Sequence, residues 1–202
     1  MLMTTEQTER CKRALQAFDA ANSQDPTLES WQDQTQPAAL LYGWRMSDRL
    51  RQFVPNASEA LQLAARAQHI ERWRIPRTTY PMTRQGYHQW RRRLAEFHAE
   101  RAGGILQSLD YPQPTIDRVQ SLLLRLNRSS DPECQTLEDV VCQVFIEYYL
   151  ADFAATKSED KLLDILRKTW AKMSPAGQQA ALQLDLPAAL QSVLGKALAG
   201  AI

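Results

Sequence analysis

Apolar residues recur along this chain at spacings of three and four, and no segment alternates convincingly with period two. The spacing predicts eight helices, over 8–21, 38–54, 58–73, 84–108, 114–127, 136–156, 159–173 and 187–199. Residues suited to helix starts sit where these segments open: Pro37, Ser58, Pro112 with Pro114, and Thr136 with Asp139 as a capping-box-like pair. Lys172, Met173 and Ser174 close the seventh segment, with Ser174 and Pro175 starting the next. The stretch RIPRTTYPMT, from Arg74 to Thr83, carries two prolines and reads as an extended, ordered connection. The expected fold class is all-α: one helical bundle of about eight helices spanning residues 1–202, without internal repeats or low-complexity tracts.

Composition agrees. Seven glycines and ten prolines in 202 residues leave helix formers dominant. With 44% hydrophobic and 23% charged residues the chain is expected to fold as an ordinary soluble protein. No run approaches a membrane span, and the charged start MLMTTEQTER is unlike a secretory signal, so the expected compartment is the cytoplasm. Cys11, Cys134 and Cys142 form neither a disulfide framework nor a zinc spacing, and are read as reduced thiols.

Near-neutrality hides a local excess. Residues 66–101 hold nine arginines and no lysine against Glu71, Glu96 and Glu100, a net +6 within a chain of net +1. The planar guanidinium fork suits phosphate and carboxylate, although arginines also pair with acids of neighbouring helices or simply face water. On the helix over 84–108, Arg84, Arg91 and His98 lie seven apart and share a face with Tyr87, Ala95 and Ala102. Beside them run Trp90, Leu94, Phe97 and Ile105, so one flank docks and the other makes a cleft wall. The preceding helix, SEALQLAARAQHIERW, ends its small-residue run at His69, placed to enter a pocket; His88 reads as surface. A phosphate-cradling glycine loop, a Gly-x-Ser-x-Gly elbow and a His-Glu-x-x-His helix are all missing. Phosphate, if bound, therefore meets side chains: Arg72, Arg77, Arg84 and Arg91, with Tyr80, Tyr87 and Trp73 able to stack on a base or ribose.

The sixth helix, TLEDVVCQVFIEYYL, is read with Glu138 and Asp139 in its first turn. A small-residue helix ending in His, a second His-bearing helix and a later helix opening with Asp together resemble the HD superfamily of metal-dependent phosphohydrolases. The resemblance implies an HD-domain-like fold and one divalent metal ion held by His69, His98 and Asp139. Glu71 or Glu138 would then serve proton transfer or supply a fourth ligand. It departs from the family pattern at Ile70, where an Asp is expected, and at LLYGWRMSDRL, which offers Tyr42 and no histidine.

A second resemblance covers nearly the whole chain. LLYGWRM, AARAQHIERWRIPR, YPMTRQGYHQWRR, EFHAE, LEDVVCQVFIEYY and KTWAKMSPAG are together similar to the domain-of-unknown-function family 4202. Some members of that family carry a glutamyl-tRNA synthetase label, but here Pro175 follows Lys172-Met173-Ser174 and no nucleotide-binding βα unit accompanies it, so that activity is rejected.

Two functions are expected on these grounds. The first is an HD-like metal-dependent phosphohydrolase acting on a nucleotide or other small phosphorylated ligand. The second is a non-catalytic helical module that binds an anion, nucleotide or RNA through residues 66–101. A patch of +6 makes a small phosphorylated ligand the better partner and nucleic acid a weak one. No membrane partner is expected, and the apolar C-terminal helix LPAALQSVLGKALAGAI is suited to covering the core or a second copy in a homodimer.

Overall fold

Ten α-helices and one two-stranded hairpin form among the residues described by the computed structural model, 5–126 and 130–199, so the fold is all-α. The chain gathers into two compact units, residues 1–127 and 128–202.

The first unit begins with α1 (Thr5–Asn22). A hairpin follows, β1 (Leu28–Trp31) antiparallel to β2 (Gln34–Pro37), with Leu28 opposite Pro37 and Trp31 opposite Gln34. No strand is expected from the sequence there, because LESWQDQTQP is almost wholly exposed and so lacks an alternating apolar face. Two contacts tie the hairpin to α2 (Ala38–Phe53): Arg45 pairs with Glu29 at 2.7 Å, and Trp31 tilts against Trp44 with ring centroids 5.6 Å apart. Pro37 offers α2 no capping side chain. Asp25 supplies the cap from a distance, accepting the Ala39 N–H at 3.0 Å and the Thr27 N–H at 2.9 Å.

Helix α3 (Glu59–Ala67) is capped by Ser58, whose hydroxyl accepts the Leu61 N–H at 3.2 Å. It stops well short of residue 73, the end expected from its apolar spacing. Glu71 takes the left-handed conformation, φ 47° and ψ 33°, unusual for a side chain of this size. Tertiary contacts hold it there: its N–H donates to Asn22 Oδ1 at 2.9 Å, and its buried carboxylate receives Arg101 at 2.7 Å and Arg74 at 3.2 Å. Two 3-10 turns, Arg72–Arg74 and Arg77–Thr79, occupy the Pro-containing connection.

Helix α4 (Arg84–Ser108) has its expected bounds, with Thr83 Oγ1 accepting the Gly86 N–H at 3.1 Å. A Cβ at Gly86 would overlap the Pro81 carbonyl, so the residue lets the connection lie directly on the helix start. Helix α5 (Gln113–Leu124) completes the unit. Phe18, Met46, Leu63, Leu94, Leu106 and Leu122 fill its core, each contributing about 1.5–3 kcal/mol on full burial.

The second unit comprises α6 (Pro132–Val144), a π-helical turn at Phe145–Tyr149, α7 (Leu150–Ala155), α8 (Glu159–Trp170), α9 (Pro175–Ala181) and α10 (Ala188–Leu198). The expected cap of the sixth helix is corrected. Asp131 opens it, accepting from the N–H groups of Glu133 and Cys134, and Pro132 fills the first turn. Glu138 and Asp139 consequently lie in the middle of α6, not in its first turn. Ser174 and Pro175 do start a helix, the short α9, with Ser174 Oγ accepting the Gly177 N–H at 3.0 Å. Leu190, Leu194 and Ala197 of α10 are buried with Leu162 and Leu166 of α8, so this apolar stripe is used inside its own unit. Among the described residues no helix is long and apolar enough to cross a membrane.

Candidate functional site

Three chain segments of the first unit line a half-open pocket of about 190 Å³. Gln68 and His69 come from the turn that follows α3; Arg91, Arg92, Leu94, Ala95 and His98 from α4; Leu123 and Arg125 from the end of α5. The α4 contribution follows from helix geometry: positions 91, 94, 95 and 98 share one face within two turns. Ala95 leaves room between Arg91 and His98. Arg125 adopts the left-handed conformation, φ 58°, as α5 ends.

His98 is only 4% exposed, and its Nε2 is buried without a hydrogen-bond partner. Its ring lies 5.9 Å from that of His69, tilted by 48°. Tyr42 stacks on His69, with ring centroids 3.8 Å apart and planes within 19°. The Arg72 guanidinium approaches His69 Nε2 at 3.1 Å and lies 4.7 Å over the Trp90 ring. Guanidinium has donors only, so Nε2 must accept, and the His69 proton resides on Nδ1.

Positive charge and burial act together on both imidazoles. His69 is held well below the ordinary histidine range by burial first, then by Arg72, His98, Arg91 and Arg125. His98 is pushed down to about 3, again by burial first and then by Arg72, Arg91 and Arg125. Arg72 itself falls to about 10 through burial and the nearby Arg91. The pocket therefore combines cationic guanidiniums with neutral imidazoles.

The residues expected from sequence separate into several environments. His69, His98 and Arg91 line the pocket together, and Arg72 braces His69. Arg77 instead closes the connection before α4, donating to the carbonyls of Tyr80 at 2.9 Å, Pro81 at 2.8 Å and Thr83 at 3.3 Å. Tyr80 is partly buried in that connection, as is Trp73. Arg84 faces solvent, and Tyr87 is 44% exposed, with its ring 5.9 Å from Trp90. Glu71 is committed to Arg101 and Arg74. Glu138 and Asp139 are buried residues of the second unit. There Asp139 accepts from the Ser174 N–H at 2.8 Å, the Ser174 hydroxyl at 2.6 Å and the Gln135 amide at 2.9 Å. Three polar lining residues, Gln68, Arg92 and Arg125, are not among those expected. Arg92 adjoins Arg91 within the arginine run, whereas Arg125 lies where the apolar spacing continues the helix to 127.

These groups do not fit the divalent ion implied by the HD resemblance. The Nε2 lone pair of His69 is directed at Arg72, guanidiniums disfavour a second cation, and the Asp139 carboxylate is engaged by Ser174 and Gln135. Among the described residues no group of three or more His, Cys, Asp or Glu side chains could hold a metal ion. An anion meets the opposite situation, with arginines and no acid among the lining residues.

The family described as Domain of unknown function (DUF4202) matches residues 12–194. No curated protein and no solved structure matches the chain.

Proposed function

We propose, for a chain that belongs to the family described as Domain of unknown function (DUF4202), that its first unit receives the phosphoryl group of a small phosphorylated molecule. The observation that carries this reading is the unpartnered Nε2 of buried His98 in a pocket lined by Arg91, Arg92 and Arg125. A buried polar atom without a partner is costly, and with the His98 proton on Nε2 an oxyanion that accepts from it relieves that cost.

The roles divide by chemistry. Arg91 and Arg92 engage the oxyanion with directed, charge-assisted hydrogen bonds. Neutral imidazole donates without adding charge. Tyr42 and Arg72 fix the His69 ring, and Trp90 supports Arg72 from below. At about 190 Å³ the pocket is smaller than typical sites of about 300–1,000 Å³, which suits a phosphoryl group inside and the remaining molecule outside. Tyr87, exposed one helical turn before Arg91, offers a ring to a flat portion such as a nucleotide base. Binding is the function this geometry favours over hydrolysis, because the hydrolase reading depends on a metal two of whose expected ligands, His69 and Asp139, are otherwise engaged.

Calorimetric titration with inorganic phosphate and with a nucleoside monophosphate tests the proposal. Saturable binding is expected, weakened about tenfold or more by Arg91→Ala and little changed by Arg84→Ala. Equal affinity in the Arg91→Ala variant, or no binding to the wild-type protein, overturns it.

A further inference from the structure

Arg125 occupies a backbone position that suits glycine. Its φ of 58° and ψ of 38° are left-handed, and two hydrogen bonds close the end of α5 around it. The Arg125 N–H donates to the Leu122 carbonyl and the Leu126 N–H to the Ser121 carbonyl, each at 3.1 Å. Helices commonly end in this pattern, and the left-handed residue is most often glycine, because a Cβ there is crowded by the backbone. Both bonds use main-chain atoms alone. An arginine side chain adds nothing to them and brings the strain of its Cβ.

What the side chain contributes lies toward the cavity. Arg125 is half-buried and lines the pocket. Its charge acts on both His69 and His98, as that of Arg91 does, although the two rings belong to different segments and lie 5.9 Å apart. A guanidinium that reaches both rings stands on the cavity side of the helix end. Arg91 and Arg92 approach from α4 and Arg125 from α5, so an anion in the pocket meets positive charge from two helices.

We infer that Arg125 is a ligand-contacting residue of this pocket, held at a left-handed helix end whose own geometry favours glycine, so that anion affinity and helix-end stability oppose each other at one position. This rests on the phosphoryl-site reading and goes beyond it by assigning an arm of the site to α5. A residue that only braced the fold would link the two properties in the same sense, the least stable variant binding least. Here they run in opposite senses.

The test combines calorimetric titration with inorganic phosphate and urea unfolding without added anion, on the full chain and its Arg125→Gly, Arg125→Ala and Arg125→Lys variants. Phosphate affinity is expected to fall about tenfold or more in Arg125→Gly and Arg125→Ala, through loss of a charge-assisted hydrogen bond. Arg125→Lys should recover part of it, returning the charge without the planar fork. Urea midpoints should place Arg125→Gly above both Arg125→Ala and Arg125→Lys, since glycine alone takes this conformation without strain. Wild-type affinity in Arg125→Gly overturns the inference and leaves the phosphoryl site standing. So does an Arg125→Gly midpoint at or below that of Arg125→Ala, or an Arg125→Lys variant that binds no better than Arg125→Gly. Failure of the wild-type protein to bind phosphate overturns the site and the inference together.

Discussion

Arg72 donates to His69 Nε2 across 3.1 Å, and this bond decides what His69 can do. With Nε2 accepting, the ring is neutral and carries its proton on Nδ1. Two-bond nitrogen–proton correlation spectra of labelled protein near neutral pH should show an unprotonated Nε2 and a protonated Nδ1 for His69. An Nε2–H tautomer contradicts this arrangement. Arg72→Ala should release the ring and allow both tautomers.

Burial and guanidinium charge keep His69 and His98 neutral in the fold, whereas in the unfolded chain each titrates near 6.5. The unfolded state then binds more protons below that pH, so the stabilising contribution is present above 6.5 and falls as pH drops. For His98 the loss continues to its folded value of about 3. Each histidine adds a slope of about 1.4 kcal/mol per pH unit in this window. Urea unfolding at pH 7, 6 and 5 should show the decline, and His98→Phe should remove about half of the histidine share.

Gly86 is set against the Pro81 carbonyl, so Gly86→Ala forces the connection away from the start of α4. The expected cost is about 1–3 kcal/mol, in the range of overpacking. Denaturant midpoints check the magnitude. Arg77 should become more accessible to solvent in the same variant, because its carbonyl partners belong to the displaced segment.

Asp139 anchors the start of α9 through the N–H and hydroxyl of Ser174. Asp139→Ala should destabilise the protein by about 3 kcal/mol, since several donors lose a charged acceptor at once. Ser174→Ala should cost less, because the backbone N–H bond survives. A double-mutant cycle between the two positions should return a coupling above about 0.5 kcal/mol; additive effects would argue that the hydroxyl bond contributes nothing.

The helices of the first unit are readable where apolar spacing and a capping residue agree. Ser58 opens α3 and Thr83 with Arg84 opens α4, as local chemistry dictates. Glu71 is not readable: nothing in QHIERW marks a left-handed residue, and the contacts that stabilise it come from Asn22 and Arg101, far along the chain. The hairpin escapes for the reverse reason, since its residues are exposed and carry no burial pattern. At the site, the spacing of Arg91 and His98 places both on one helix face, and the small-residue run directs His69 to a pocket, where it lies. Three backbone carbonyls take the donors of Arg77, expected to meet phosphate, an arrangement that exists only once the connection has folded.

The unanswered Nε2 of His98, a residue that lines the cavity, also makes the protein a detector. Any compound that binds there stabilises the native chain by an amount that grows with the logarithm of its concentration over its dissociation constant. Melting temperature thus becomes a readout through which a library of metabolites can be sorted before a reaction, a product or a chromogenic substrate has been devised.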